Sequence, residues 1–210
     1  MHLTSGQETL LGVVVGALLA SMGGLLAGQI EHHLRRRERE QSAALLFGEI
    51  LAALKLILRL ADQARGRGDP YGPVTMRILK AAQRETLIYD RNRETLFDLR
   101  EATLRARTHL LLLQLGLTLD AVFEATTVID ANEDPEPSEA VKARLGVAAV
   151  GRHASFDFLM ELHPQIRPLI AQYEKIAKRP FDAHEAVSQL GVVQQTAQAS
   201  PSAIPAGTTT

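Results

Sequence analysis

The chain has no cysteine and no tryptophan, and aromatic residues make up only 4% of it. Without cysteine there can be no disulfide staple, thiolate metal site, acylated-cysteine anchor or cysteine nucleophile. So few aromatics leave no stacking platform for single-stranded nucleic acid. An excess of either charge is also missing: 23 Lys and Arg stand against 24 Asp and Glu, for a net charge of −1. Binding a phosphate backbone needs a concentrated basic surface, so no nucleic-acid partner is expected. The 210 residues suffice for one modest domain and an anchor.

Charge is absent altogether from Leu10 to Ile30, in LLGVVVGALLASMGGLLAGQI. At about 1.5 Å per residue this run measures about 31 Å, the thickness of a hydrocarbon core. It reads as a transmembrane helix over 10–30. The competing reading is a signal peptide, with Ser21-Met22-Gly23 as its small-residue cleavage site. That reading needs a basic leading segment, whereas residues 1–9 hold Glu8 and no Lys or Arg. The arginines follow the run instead, at Arg35, Arg36, Arg37 and Arg39. By the positive-inside rule they determine topology, with residues 1–9 outside and the rest in the cytoplasm. The interfacial aromatic belt is missing, since the first aromatic residue is Phe47. Within the run Gly12, Gly16, Ala20, Gly24 and Gly28 recur at every fourth position. Small residues in that register let helices approach closely in lipid, through self-association or with another membrane protein.

Residues 31–42 (EHHLRRREREQS) are almost wholly polar and contain no helix breaker, so they read as a basic helical stalk at the interface. A helical bundle is expected over 43–190. Phe47, Ile50, Leu51, Leu54, Ile57, Leu58 and Ala61 give the stripe of a first helix, which the Gly and Pro cluster after Arg65 should end. A second helix is expected from Val74 to Tyr89, with Ile78, Leu79, Ala82 and Leu87 inward. A third should begin near Leu99, where Asp98 and Glu101 have capping-box spacing, and bury Leu104, Leu111, Leu115, Val122 and Ile129. The alternation within Leu110–Leu119 also suits a strand, but a lone strand has no partner, so helix is expected. The uncharged stretch between Arg107 and Asp120 is about 18 Å of helix, too short by itself to span.

After the acidic loop Asp130–Pro137, a fourth helix should start near Ser138. Its expected core runs Val141, Leu145, Ala148, Phe156, Leu159, Ile166, Leu169, Tyr173 and Ile176, and Pro164 and Pro168 should kink or split it. A short helix is expected after Pro180, and 191–210 is a low-complexity tail in which disorder is expected. The fold class is therefore all-α: a transmembrane helix continuing into a small bundle.

No catalytic constellation, phosphate loop or cofactor motif is present, and neither an enzyme nor a cofactor is expected. No acidic residue is followed three positions later by a histidine, which di-iron bundles require. His153 and Asp157, one turn apart, have ligand spacing but supply too few ligands for a metal. Ser155 between them has the residue type of a triad nucleophile, yet the three point around a helix rather than toward one place. Arg67-Gly68-Asp69 matches an adhesion tripeptide, and its glycine is better explained by a turn.

The layout of one span, a basic stalk and a few helices resembles uncharacterised bacterial single-pass membrane proteins with a cytoplasmic helical domain. Leu87-Ile88-Tyr89-Asp90-Arg91-Asn92, followed by Leu96 to Leu99, carries the likeness, which covers Leu10 to Val122. It departs from them at Glu94-Thr95-Leu96-Phe97, where they tend to show Gly-Leu-Leu-Pro. The resemblance implies topology and no activity. The expectation is thus a scaffold or interaction protein of the bacterial inner membrane, with the bilayer and a copy of itself or a membrane protein as partners. A holin- or channel-like oligomer is the alternative, as is a bundle that gathers Arg84, Arg91, Arg93, Arg105 and Arg107 around an anionic ligand or lipid headgroup.

Overall fold

The structure is a computed structural model that describes residues 5–68, 70–132 and 138–181, with side chains from residue 29 onward. The side chains of Gly12, Gly16, Ala20, Gly24 and Gly28 thus lie outside the described residues. So do Asp69, residues 133–137 of the acidic loop, the short helix expected after Pro180 and the tail 191–210.

Four α-helices occur among the described residues: α1 (Ser5–Arg65), α2 (Pro73–Asn92), α3 (Ala102–Asp130) and α4 (Glu139–Ala177). A 3-10 turn, Arg93–Asp98, joins α2 to α3. There is no strand among the described residues, and Leu110–Leu119 is helical throughout. Each helix buries residues that step alternately by three and four. These are Phe47, Leu51, Leu54, Leu58 and Ala61 on α1, and Thr75, Leu79, Ala82, Thr86 and Tyr89 on α2. On α3 they are Leu104, Thr108, Leu111, Leu115, Thr118 and Val122, and on α4 Leu159, Leu162, Ile166, Leu169 and Tyr173. A mean step near 3.5 keeps one seam facing its neighbours, which is how antiparallel bundles interlock.

Side-chain contacts establish the directions. Phe47 meets Tyr89 and Tyr173 at ring-centroid separations of 6.2 and 6.3 Å. At the other end Arg65 pairs with Asp157 at 2.6 Å, so α1 and α4 are antiparallel. Gln83 bonds Asp120 at 2.7 Å and Tyr89 bonds His109, so α2 and α3 are antiparallel too. The result is an up-and-down bundle. Its near end, beside residues 31–47 of α1, holds the 3-10 turn and the Tyr89–Tyr173 layer. Its far end holds Arg65, Tyr71 and the middle of α4.

Several expectations are corrected. Leu87 is 49% exposed, because Thr86 and Tyr89 take the inward positions on α2. The Thr86 hydroxyl donates to the Gln83 carbonyl at 2.8 Å, so it enters the core already satisfied. The Asp98–Glu101 capping box does not form. Leu99 is extended and buried, which delays α3 to Ala102, and its N-cap Glu101 makes no side-chain cap bond. Arg105 Nη1 instead donates to the carbonyls of Leu99 and Arg100, at 2.5 and 3.2 Å. Pro164 and Pro168, expected to kink or split α4, leave it one continuous helix. Both are exposed, so the carbonyls they leave unbonded lie toward water. Val141, Leu145 and Ala148 are only half-buried, and Ile129 likewise. The reason is length: α4 meets the end of α1 near Asp157, and its first turns project past α1, where Ala148 lines a groove with Val128 of α3.

Other expectations match. α1 ends at Arg65, and Gly68 follows with φ +105°, a left-handed turn position that a Cβ would strain. Ser138 caps α4, accepting from the Val141 amide at 3.5 Å. One glycine has a packing role that the sequence did not signal: a Cβ at Gly48 would run into the Phe181 ring lying across it.

Candidate functional site

Past the uncharged run, α1 is exposed from Gln29 to Arg39. His32, Arg35, Arg36 and Arg39 are spaced i, i+3, i+4 and i+7, which puts them on one helical face. Opposite them stand Phe97 and Asp98 of the 3-10 turn, and together the six line an open notch of about 370 Å³. The turn is pinned there by Glu40. Its carboxylate accepts from the Arg100 amide at 3.2 Å and pairs with Arg100 Nε at 3.1 Å. Arg35 is paired with Glu31 at 2.5 Å along the helix surface. No ion pair among the described residues engages Arg36 or Arg39. Phe97 is 78% exposed, beside these cations rather than in the core. Of the four arginines that follow the uncharged run, Arg35, Arg36 and Arg39 share the notch, while Arg37 lies off that face.

The other arginines considered from sequence lie elsewhere on the bundle. Arg105 is committed to backbone carbonyls, and Arg84, Arg91, Arg93 and Arg107 are exposed.

At the far end the structure does bring His153 and Asp157 together, at 3.4 Å. The space a metal would need is taken by Arg65, which donates to Asp157 Oδ1 at 2.6 Å and lies 3.4 Å from His153 Nε2. Tyr71 completes the cluster through a 3.1 Å bond with His153 Nδ1, and Arg152 stacks on the Tyr71 ring at 3.8 Å. Ser155 takes no part, since it lines a groove against Ala121, Glu124 and Val128 of α3. The arrangement ties the loop after α1 to α4.

The Arg65 hydrogen bond holds the Asp157 carboxyl below its usual range, against a smaller desolvation effect that raises it. A depressed folded-state pKa stabilises the fold above the unfolded value of 3.8 and ceases to do so as pH falls through the folded value. Asp157→Asn should therefore lower the melting temperature at neutral pH, with the gap from wild type closing as pH drops below about 4. A gap that stays constant down to pH 2 would assign the loss to packing. Deeper in, burial raises the Tyr173 hydroxyl well above its ordinary pKa, so it stays protonated in its 2.8 Å bond with Thr108.

The outer surface carries apolar residues. Leu110, Leu113 and Leu117 of α3 are 55%, 44% and 62% exposed, at i, i+3 and i+7 of one face, and Leu87 of the adjoining α2 is exposed as well. By length and composition α3 is able to cross a membrane, which its uncharged stretch alone did not indicate, and only 28% of its most apolar window is buried.

No family model, curated protein or solved structure matches the chain.

Proposed function

We propose that this is a membrane-anchored helical interaction protein of the bacterial inner membrane, spanning once over Leu10–Ile30 with its bundle on the cytoplasmic side. The observation that carries the reading is the uncharged run at the head of one unbroken helix, α1, which extends from Ser5 to Arg65. Continuous helix leaves every backbone group of the run internally bonded, as the bilayer interior demands. The exposed, arginine-rich turns after Ile30 support both the spacing from the membrane and the inward orientation. The interaction role is supported by the leucine face of α3, because contiguous apolar surface on a folded domain marks a contact site. That face docks a partner or a second copy.

A second reading is favoured by α3 itself, whose length and apolarity suit a bilayer. Against it, crossing would strip the Leu104–Val122 seam from the bundle and part Thr108 from Tyr173.

Alkaline extraction of cell membranes separates these possibilities. The full chain should stay in the pellet, and a chain with Lys at Val14 and Leu18 should be released. Retention of that variant would move the anchor away from Leu10–Ile30. In the pelleted chain, Gln at Leu110, Leu113 and Leu117 should abolish chemical cross-linking to its partner without loss of helix content.

A further inference from the structure

The notch between α1 and the 3-10 turn joins features that a simple spacer does not need. A spacer helix is solvated on every side, whereas here a second element is held against the arginine face by the Glu40–Arg100 clamp. The element presents an exposed phenyl ring at the tip of the turn, where burial would have been the ordinary outcome.

We infer that this notch binds the phosphate-bearing headgroup of an anionic lipid, with Arg36 and Arg39 on the phosphate and Phe97 against the adjoining glycerol backbone. The inference rests on the reading that Leu10–Ile30 spans the bilayer. Position favours a lipid over a soluble phosphate. At about 1.5 Å per residue the Arg36 and Arg39 backbones lie about 9 and 14 Å beyond Ile30, and because helical side chains lean toward the N-terminus their long guanidinium arms reach back toward the membrane surface. The headgroup layer occupies roughly the first 5 to 8 Å outside the hydrocarbon core on each side. Guanidinium groups bind phosphate in a bidentate fork, and arginines near an anionic surface are drawn to it. A soluble phosphate has no use for an apolar ring, while an amphiphile meets both halves of the notch. Asp98 opposes this charge from the other wall, and Glu31 occupies Arg35, so Arg36 and Arg39 carry the binding.

The absence of tryptophan supplies the test. Phe97→Trp in the full chain introduces a single indole at the notch. The chain is reconstituted in phosphatidylcholine vesicles containing increasing phosphatidylglycerol, and flotation is scored alongside indole emission. The expected result is a blue-shifted emission as phosphatidylglycerol rises, quenched when that lipid is brominated. Arg36→Gln with Arg39→Gln should raise the phosphatidylglycerol fraction at half-change by on the order of tenfold, with flotation intact. An equal shift in pure phosphatidylcholine overturns the inference, as does a response that survives the double substitution. The same shift produced by inorganic phosphate in neutral vesicles assigns the notch to a soluble anion and overturns the lipid source. A chain that does not float overturns the anchor reading and this inference with it, whereas a floating chain with a silent indole overturns this inference alone.

Discussion

With Arg35, Arg36, Arg37 and Arg39 replaced by Gln and lysines added after Thr4, the chain should insert in mixed or inverted orientation. In the wild type a reporter fused after Thr210 should be cytoplasmic, and one fused before Met1 periplasmic. The expectation follows from the weight of flanking Lys and Arg, which sets the orientation of a span, while Glu31, Glu38 and Glu40 contribute little. The effect should be large because residues 1–9 carry no Lys or Arg to oppose the change. Three of these arginines also line the notch, so the readout has to be reporter location rather than lipid response. A wild-type C-terminal reporter found outside would overturn the orientation and place the bundle in the other compartment.

The largest loss of stability should come from Phe47→Ala. Phe47 is fully buried and touches both Tyr89 and Tyr173, so its removal empties the layer where α1, α2 and α4 meet. Truncating a buried phenyl ring costs about 3–5 kcal/mol, a large part of the roughly 5–15 kcal/mol that a domain has. Denaturant titration of the full chain in detergent, followed by helix signal, measures it; a loss under about 1 kcal/mol would mean that the layer is not packed as described. The same layer contains a finer test. Tyr173→Phe leaves the Thr108 hydroxyl buried without its 2.8 Å partner, which costs about 1–3 kcal/mol. Adding Thr108→Val removes the orphaned group, so the double variant should be more stable than Tyr173→Phe alone.

What was legible in the sequence follows from one-dimensional chemistry. The uncharged length of Leu10–Ile30, the helix stop at Arg65 before its Gly and Pro cluster, and the Ser138 cap depend on residues close together along the chain. So does the apolar period of α1, where all the inward residues are hydrophobic. Periodicity was less informative on α2 and α3 because Thr75, Thr86, Thr108 and Thr118 occupy seam positions. A threonine there returns its hydroxyl to its own helix or to a partner such as Tyr173, and composition cannot show which.

By itself the sequence determined that this protein is helical, that α1 stops at Arg65, and that it has one long uncharged run followed by arginines. Only the tertiary structure decided what the arginines face. Arg36 and Arg39 are adjacent to Phe97 through α1 folding against the turn after α2, a juxtaposition across some 60 residues held by Glu40 and Arg100. It likewise decided that His153 and Asp157 meet Arg65, and that Val141 and Leu145 lie beyond the reach of α1. Local periodicity records that a face is apolar or basic. What covers that face depends on where a distant helix ends, and side-chain spacing within a single helix carries no information about that.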